Sequence, residues 1–326
     1  MAEWLYEGGI GENRAVLVES GQILEAAIEL PGEVRAGSVV AARLAAILVP
    51  GRRAIAAMEG GAEVLIEPVP GDVTEGAAVR VEIFRESLVE QGRPKRAKGR
   101  ITDASERPGP SLRERLGKAA PHSPPAPDLF EQAGWSELLE EAAGGEIVFQ
   151  GGSLRMSLTP AMTLFDVDGT LAPEALARAG AEAAARTIRR LGIAGSIGID
   201  LPTLPSREDR LKAAAALDLA LPQPFERTAV NGFGFLQVVR RKERASLAEL
   251  VQADPVGAAA RALLRRGEWS VGRGLRTIHA APEVAARLES NGLWLEALSR
   301  RVGAEVALRA EPGLAISAGH VHSQFP

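Results

Sequence analysis

Short apolar segments set among polar residues pattern the start of the chain. They centre on Ala15-Val16-Leu17-Val18 and again on Ile23-Leu24-Glu25-Ala26-Ala27-Ile28, with Ser20-Gly21-Gln22 between, and so predict a β-hairpin. Four further short strands are predicted over 38–49, 53–58, 62–67 and 79–84, punctuated by Pro50-Gly51, Gly60-Gly61 and Pro70-Gly71-Asp72. Short strands at this spacing with Gly/Pro turns specify a small barrel or sandwich. Over 103–127 the periodicity disappears into Pro, Ser and charge, which predicts a linker. Asp128 then stands as the cap of a short amphipathic helix through Phe130, Leu138, Leu139 and Ala143.

From Glu146 strands alternate with helices. Strands are predicted at 147–149, 154–158, 162–168 and 196–200, and a strand pair at 227–230 and 233–239 around Asn231-Gly232. Pro173 opens an alanine-rich helix over 174–191 that Gly192 ends, and Ser206 with Asp209 caps a helix over 208–219. A tail of helix 255–266, strand 276–280, helices 282–288 and 294–301 and strand 306–309 completes the chain. Trp135 and Trp294 fall on apolar helix faces and are expected in the core. The fold class is mixed α/β. An N-terminal hairpin (1–35) packs on the catalytic part, followed by a small OB-like barrel (36–102) and a linker (103–127). An α/β domain (128–250) and a small C-terminal α/β subdomain (251–326) follow.

Composition narrows the chemistry. The 326 residues suffice for two or three modules. Thirty-eight basic and 42 acidic residues give a net charge of −4, so a nucleic-acid partner would need a local basic patch. There is no cysteine, which excludes disulfides, thiolate nucleophiles and thiolate zinc links. The four histidines are His122, expected in the linker, His279, expected in a strand, and His320 and His322, which alternate near the end but lack a further ligand in sequence. No apolar run reaches the ~20 residues a membrane span needs. The first residues lack a signal-peptide pattern. A soluble protein of a reducing, cytoplasmic compartment is expected.

The chemistry-bearing segment is Leu164-Phe165-Asp166-Val167-Asp168-Gly169-Thr170-Leu171. Residues two apart on a strand face the same way, so Asp166 and Asp168 project together. A right-handed βαβ unit over 162–168, 174–191 and 196–200 would bring Asp200 to the same sheet edge. Clustered carboxylates repel unless a cation joins them, and Mg2+, with Mn2+ as a substitute, suits oxygen ligands of this kind. The competing reading makes Asp166 a strand cap and Asp168 part of an Asx turn with Gly169.

Two family resemblances meet on this strand. Phe165-Asp166-Val167-Asp168-Gly169-Thr170-Leu171 resembles the opening motif of haloacid-dehalogenase-like phosphatases, in which the first Asp is the nucleophile and the second the acid/base. That family's downstream Gly-Asp-x-x-x-Asp motif has no counterpart here. The second resemblance spans most of the chain and is to the ribonuclease E/G family. Glu12-Asn13-Arg14-Ala15-Val16-Leu17-Val18 and Ile28-Glu29-Leu30-Pro31-Gly32 resemble its amino-terminal hairpin. Residues 36–102 sit where it carries an RNA-binding OB barrel. Gly151-Gly152-Ser153-Leu154 through Thr163 resembles the approach to its catalytic aspartate, which falls on Asp166. Leu191 to Asp200 resembles its second acidic strand. Asn231-Gly232-Phe233-Gly234-Phe235-Leu236-Gln237 resembles its signature strand, and the tail its small terminal domain.

This resemblance implies a Mg2+-dependent endoribonuclease of single-stranded RNA with Asp166 as a catalytic, metal-binding residue. Asp168 and Asp200, which the strand geometry places beside it, are expected to complete the catalytic and metal-binding set in place of the family's second aspartate. RNA would be held by Arg93, Lys95, Arg96, Lys98 and Arg100 and by Arg240, Arg241 and Lys242, with Arg244 beside them. Solvated surface charge is the alternative for both groups. The chain departs from the family at Thr203, where a second metal-binding aspartate belongs, and at Gln237, where Glu is usual. The family commonly has Asn at Asp168. Residues 36–83 contain no aromatic side chain, so the barrel lacks stacking platforms. The 5′-monophosphate sensor and the cysteine zinc link have no counterpart, so no zinc is expected, and self-assembly would not run through such a link. A catalytically impaired RNA-binding protein is the second expectation, and a phosphatase the third.

Overall fold

The computed structural model describes residues 1–89 and 95–325. Its fold is mixed α and β, with a closed five-stranded barrel and three further sheets among the described residues. The chain divides into two compact units, one of residues 1–31, 118–143 and 250–326, the other of 32–117 and 144–249. The amino-terminal hairpin, expected against the catalytic part, clusters with the C-terminal segment.

In the first unit, strands β1 (Glu3–Gly8), β2 (Asn13–Glu19) and β3 (Gln22–Glu29) form an antiparallel meander. The β2–β3 loop is Ser20-Gly21, both with positive φ, as the twist of a two-residue hairpin demands.

The second unit begins with β4 (Val39–Val49), β5 (Arg53–Met58), β6 (Glu63–Ile66), β7 (Ala78–Arg85) and β8 (Ala97–Ile101), which close in the order β4-β5-β6-β8-β7. β6 and β8 are parallel and the other pairs antiparallel, an OB-like arrangement. Leu44, Ile66, Val81 and Ile83 fill the interior. Gly99 is required there, because a Cβ would stand 2.4 Å from Val81 Cγ1 and 2.9 Å from the Glu82 carbonyl.

Residues 103–127 are more structured than a linker. Arg107 exchanges backbone hydrogen bonds with Val39 (2.9 and 3.1 Å), and α1 (Leu112–Leu116) begins in a capping box of Ser111 and Glu114. The Ser111 amide and hydroxyl hold the Glu114 carboxyl below its ordinary range. β9 (Ala120–Pro121) joins β1 in parallel. These partners are distant in sequence, which is why no local periodicity announces them. α2 (Leu129–Gln132) and α3 (Trp135–Gly144) follow, and Phe130 and Trp135 are buried edge to face at 5.5 Å.

The larger sheet of the second unit takes β10 (Glu146–Phe149), β11 (Gly152–Leu158), β12 (Thr163–Gly169), β13 (Gly195–Asp200), β14 (Glu226–Arg227) and β15 (Phe235–Arg240), in the order β10-β11-β12-β13-β15-β14. α4 (Pro173–Arg190) connects β12 to β13, and α5 (Arg207–Ala220) packs beside α4. Only β12 and β13 run parallel, so the sheet is mixed rather than doubly wound.

The chain ends with α6 (Leu247–Ala253), α7 (Pro255–Glu268), β16 (Arg273–Ala280), α8 (Pro282–Ser290), α9 (Gly292–Val302), β17 (Val306–Ala310) and β18 (His320–Phe325). Leu263, Leu264, Ile278, Val284, Leu288 and Leu298 form a core that Ile10 enters and Trp294 covers. Beside it lies a buried ionic network. Arg14 bonds Glu7 (3.1 Å) and Glu12 (2.7 Å), Arg261 bonds Glu12 (2.8 Å), and Arg265 bonds Glu7 and Asp128 (2.7 and 2.6 Å). His122 is buried rather than part of a loose linker, stacked on Trp269 at 4.9 Å and on Phe130 at 5.8 Å.

Asp254 caps α7, accepting from the Gly257 amide (3.0 Å) and from both terminal nitrogens of Arg287 (2.9 and 3.1 Å). Burial pushes its carboxyl up, but the Gly257 amide, Arg287 and Arg261 outweigh this and hold it below the ordinary range. A carboxyl depressed in the folded state adds stability above its unfolded pKa, and that contribution is lost as pH falls through the lower folded value. Asp254→Ala should therefore cost about 1–2 kcal/mol at neutral pH in urea denaturation, and less in acid. Asp254→Asn should retain the cap and lose the pH dependence.

Candidate functional site

The exposed end of β12 is built by what lies beneath it. Thr163, Phe165 and Val167 are buried, whereas Asp166 and Asp168 are exposed. Slippage by one residue would put the carboxylates into the core, so the apolar set fixes which face they occupy. α4 lies against the buried side, with Gly180 directly over Val167, so both aspartates project from the opposite face. β13 repeats the pattern, with Ile197, Gly198 and Ile199 buried and Asp200 exposed.

Parallel pairing sets Asp166 directly beside Asp200. Antiparallel pairing adds Arg155 of β11 next to Asp166, and Phe235 of β15 next to Asp200. One row across four strands therefore reads Arg155, Asp166, Asp200, Phe235, and its members share a face. Asp168 lies in the adjoining row opposite Ser153. Arg155 is largely exposed, with Glu146 at 3.6 Å. The Phe235 ring lies over Gly198, where a Cβ would meet its Cζ at 2.6 Å. Phe233, in the turn before β15, is 82% exposed.

Neighbouring strands are about 4.8 Å apart, so Asp166 and Asp200 are side-by-side like charges in need of a counter-ion. Two exposed carboxylates at this spacing fit a hydrated Mg2+ or Mn2+, which commonly takes only one or two from protein. The trio Asp166, Asp168 and Asp200 does not gather. Among the described residues, Glu7, His122 and Asp128 are the set of three whose ligand atoms lie within 4.8 Å of one another. Arg265 already bridges Glu7 and Asp128, so that set belongs to the ionic network. Thr203 is exposed beyond β13 and its hydroxyl donates to the Phe233 carbonyl at 3.4 Å. Gln237 pairs with Gly198 and is half-buried.

Among the described residues, the basic side chains expected to hold RNA are engaged with acids or carbonyls. Arg96 pairs with Glu63 (2.5 Å), Lys98 with Glu67 (3.0 Å) and Arg100 with Glu82 (2.7 Å). Hydrogen bonding from Lys98 outweighs burial and, with Arg53, holds the Glu67 carboxyl below its ordinary range. Lys95 donates to the Pro160 carbonyl (3.3 Å) and Arg240 to that of Ile193 (3.0 Å). Arg241 faces Glu243 at 3.4 Å, Lys242 pairs with Glu249, and Arg244 lies between Glu243 and Glu86. Arg93 lies outside the described residues. The run thus reaches the barrel surface with much of its charge offset by glutamates from other strands.

No protein-family model matches the chain, and no curated protein matches it. Among the described residues no helix is long and apolar enough to cross a membrane. Composition and spacing missed Arg155, Phe233 and Phe235, which flank the aspartates. Arg155 could be found only from the β11–β12 register, although the two phenylalanines sit within the segment Asn231-Gly232-Phe233-Gly234-Phe235.

Proposed function

We propose that this protein is a ribonuclease E/G-like, metal-dependent endoribonuclease acting on single-stranded RNA. The observation that carries this reading is the registered, exposed pair Asp166 and Asp200 on neighbouring parallel strands. A divalent cation bound there would supply Lewis-acid stabilisation of a scissile phosphate and a more acidic water. Asp166 and Asp200 hold the cation, and Asp168 offers a further acceptor on the same face. Arg155 is placed to donate to a phosphate oxygen, and Phe235 and Phe233 offer faces for an unstacked base, worth about 1–3 kcal/mol each. Support also comes from the chain order of hairpin, OB-like barrel, βαβ unit and small terminal sheet, which follows the family's. Cleavage would leave a 3′-hydroxyl and a 5′-phosphate, as in that family.

Purified protein should cut labelled single-stranded RNA with Mg2+, stop in chelator, and lose at least about 100-fold of its rate in Asp166→Asn, equivalent to about 2.7 kcal/mol of transition-state stabilisation. Cleavage equal in variant and parent would mark a contaminant and remove the proposal. RNA binding without cleavage would instead identify a binding protein on this scaffold, which Thr203 in place of an acidic ligand favours. Release of phosphate from p-nitrophenyl phosphate alone would point to a phosphatase, for which the mixed sheet offers less support.

A further inference from the structure

Three of the four histidines emerge on one surface. Along β16, Arg276, Ile278 and Ala280 are buried, and Thr277 and His279 point the other way. β18 pairs antiparallel with β16, setting His320 beside His279 and His322 beside Thr277. His279, His320 and His322 therefore share the outer face of two adjacent strands. His320 and His322 are exposed, and the His279 and His320 rings are parallel within 3°, with centroids 4.7 Å apart.

The surroundings of His279 are specific. Its Nδ1 lies 2.8 Å from Glu311 Oε1, and the Glu311 amide donates to the Ala280 carbonyl at 2.8 Å. With Nδ1–H donated to the carboxylate, Nε2 carries the free lone pair. A carboxylate on the far nitrogen is the usual partner of a metal-bound imidazole, fixing its tautomer and raising its basicity. The start of β18 is held against β16. Arg266 donates to the Gly319 carbonyl at 2.6 Å, and a Cβ at Gly319 would stand 3.0 Å from the His279 carbonyl oxygen.

We propose that His279, His320 and His322 form a site for a divalent transition-metal cation, with Glu311 as the positioning residue. Imidazole donors select Zn2+, Co2+, Ni2+ or Cu2+ over Mg2+, so this site differs in chemistry from the paired aspartates. The lack of cysteine excludes thiolate ligation and leaves imidazole ligation open. Three protein nitrogens leave a coordination position for water or an exchangeable ligand. In the present conformation the rings stack and their nitrogens are not gathered within 4.8 Å as a set of three. Binding therefore turns the exposed His320 and His322 rings towards His279. Arg309, paired with His279 from β17, opposes a cation, and Glu311 offsets it.

The test uses the full chain without a histidine tag, titrated with Co2+ alone and then with Zn2+ in competition. One equivalent of Co2+ should bind with a Kd of about 1–100 µM and give visible d–d absorption, both reversed by Zn2+. His320→Gln combined with His322→Gln should remove binding while leaving the melting temperature of the metal-free protein unchanged. Glu311→Gln should weaken it about 10–100-fold and shift its pH dependence. Co2+ bound equally by the histidine variants, no binding at about 1 mM, or binding lost only in Asp166→Asn would each overturn the proposal. His279→Gln tests the third ligand with the partner strand intact and should also abolish the absorption.

Discussion

Arg265→Met should destabilise the protein by about 3–5 kcal/mol, the range observed when one member of a buried ion pair is removed. The Arg265 side chain is 3% exposed and bonds Glu7 and Asp128, and its guanidinium carbon lies 5.2 Å from the Phe130 ring centroid and 5.4 Å from that of Trp269. Methionine retains much of the apolar stem and none of the charge. Glu7, itself buried, would then depend on Arg14 alone. The cost arises chiefly from the carboxylates left behind, since an intact buried pair is often no better than an apolar isostere. Urea denaturation should accordingly show that Glu7→Gln added to Arg265→Met recovers part of the loss. If the double variant is as unstable as the two single losses added together, Glu7 and Arg265 are not coupled. A loss below about 1 kcal/mol for Arg265→Met would show that the network does not hold these charges in low dielectric.

The same arginine shows where sequence reasoning reaches and where it stops. Its place near the C-terminus of α7 reads as a cation complementing the helix dipole. Nothing local shows that its partners are Glu7 and Asp128, because ion pairs between distant segments leave no periodicity. The elements themselves were readable: the hairpin around Ser20-Gly21, the barrel strands and the β12–α4–β13 unit all follow from period-two and period-3.6 patterns. So was the meeting of Asp166 with Asp200, because a right-handed crossover leaves few alternatives. Three features were not. Residues 103–127 are ordered by long-range backbone bonds, the basic run meets barrel glutamates only once β5 to β8 are paired, and His279 joins His320 only through the β16–β18 register. Each depends on which strand lies beside which, information that a single strand's pattern does not carry.

The candidate site depends on the helix beneath it, which gives the second large effect. Gly180→Val should destabilise the protein by about 0.5–2.5 kcal/mol and lower any Asp166-dependent RNA cleavage by roughly 100-fold. Gly180 is buried in α4, and a Cβ there would stand 2.4 Å from Val167 Cγ1 and 3.1 Å from Cγ2. Real Cβ atoms do not approach that closely, so the helix must lift or β12 must shift. Valine is the better helix former by about half a kcal/mol, too little to offset overpacking of about 1–3 kcal/mol. Because Val167 stands between Asp166 and Asp168, displacement of its backbone moves both carboxylates relative to Asp200. Shortening the opposing side chain separates packing from chemistry: Val167→Ala with Gly180→Ala should recover stability relative to Gly180→Val and restore cleavage with it. If Gly180→Val melts like the parent, α4 does not seat on β12 this closely, and the rigid support for the Asp166–Asp200 pair is lost. Stability lost with cleavage per folded molecule unchanged would separate the aspartates' placement from α4 and locate their alignment in the β11–β12–β13 hydrogen bonds alone.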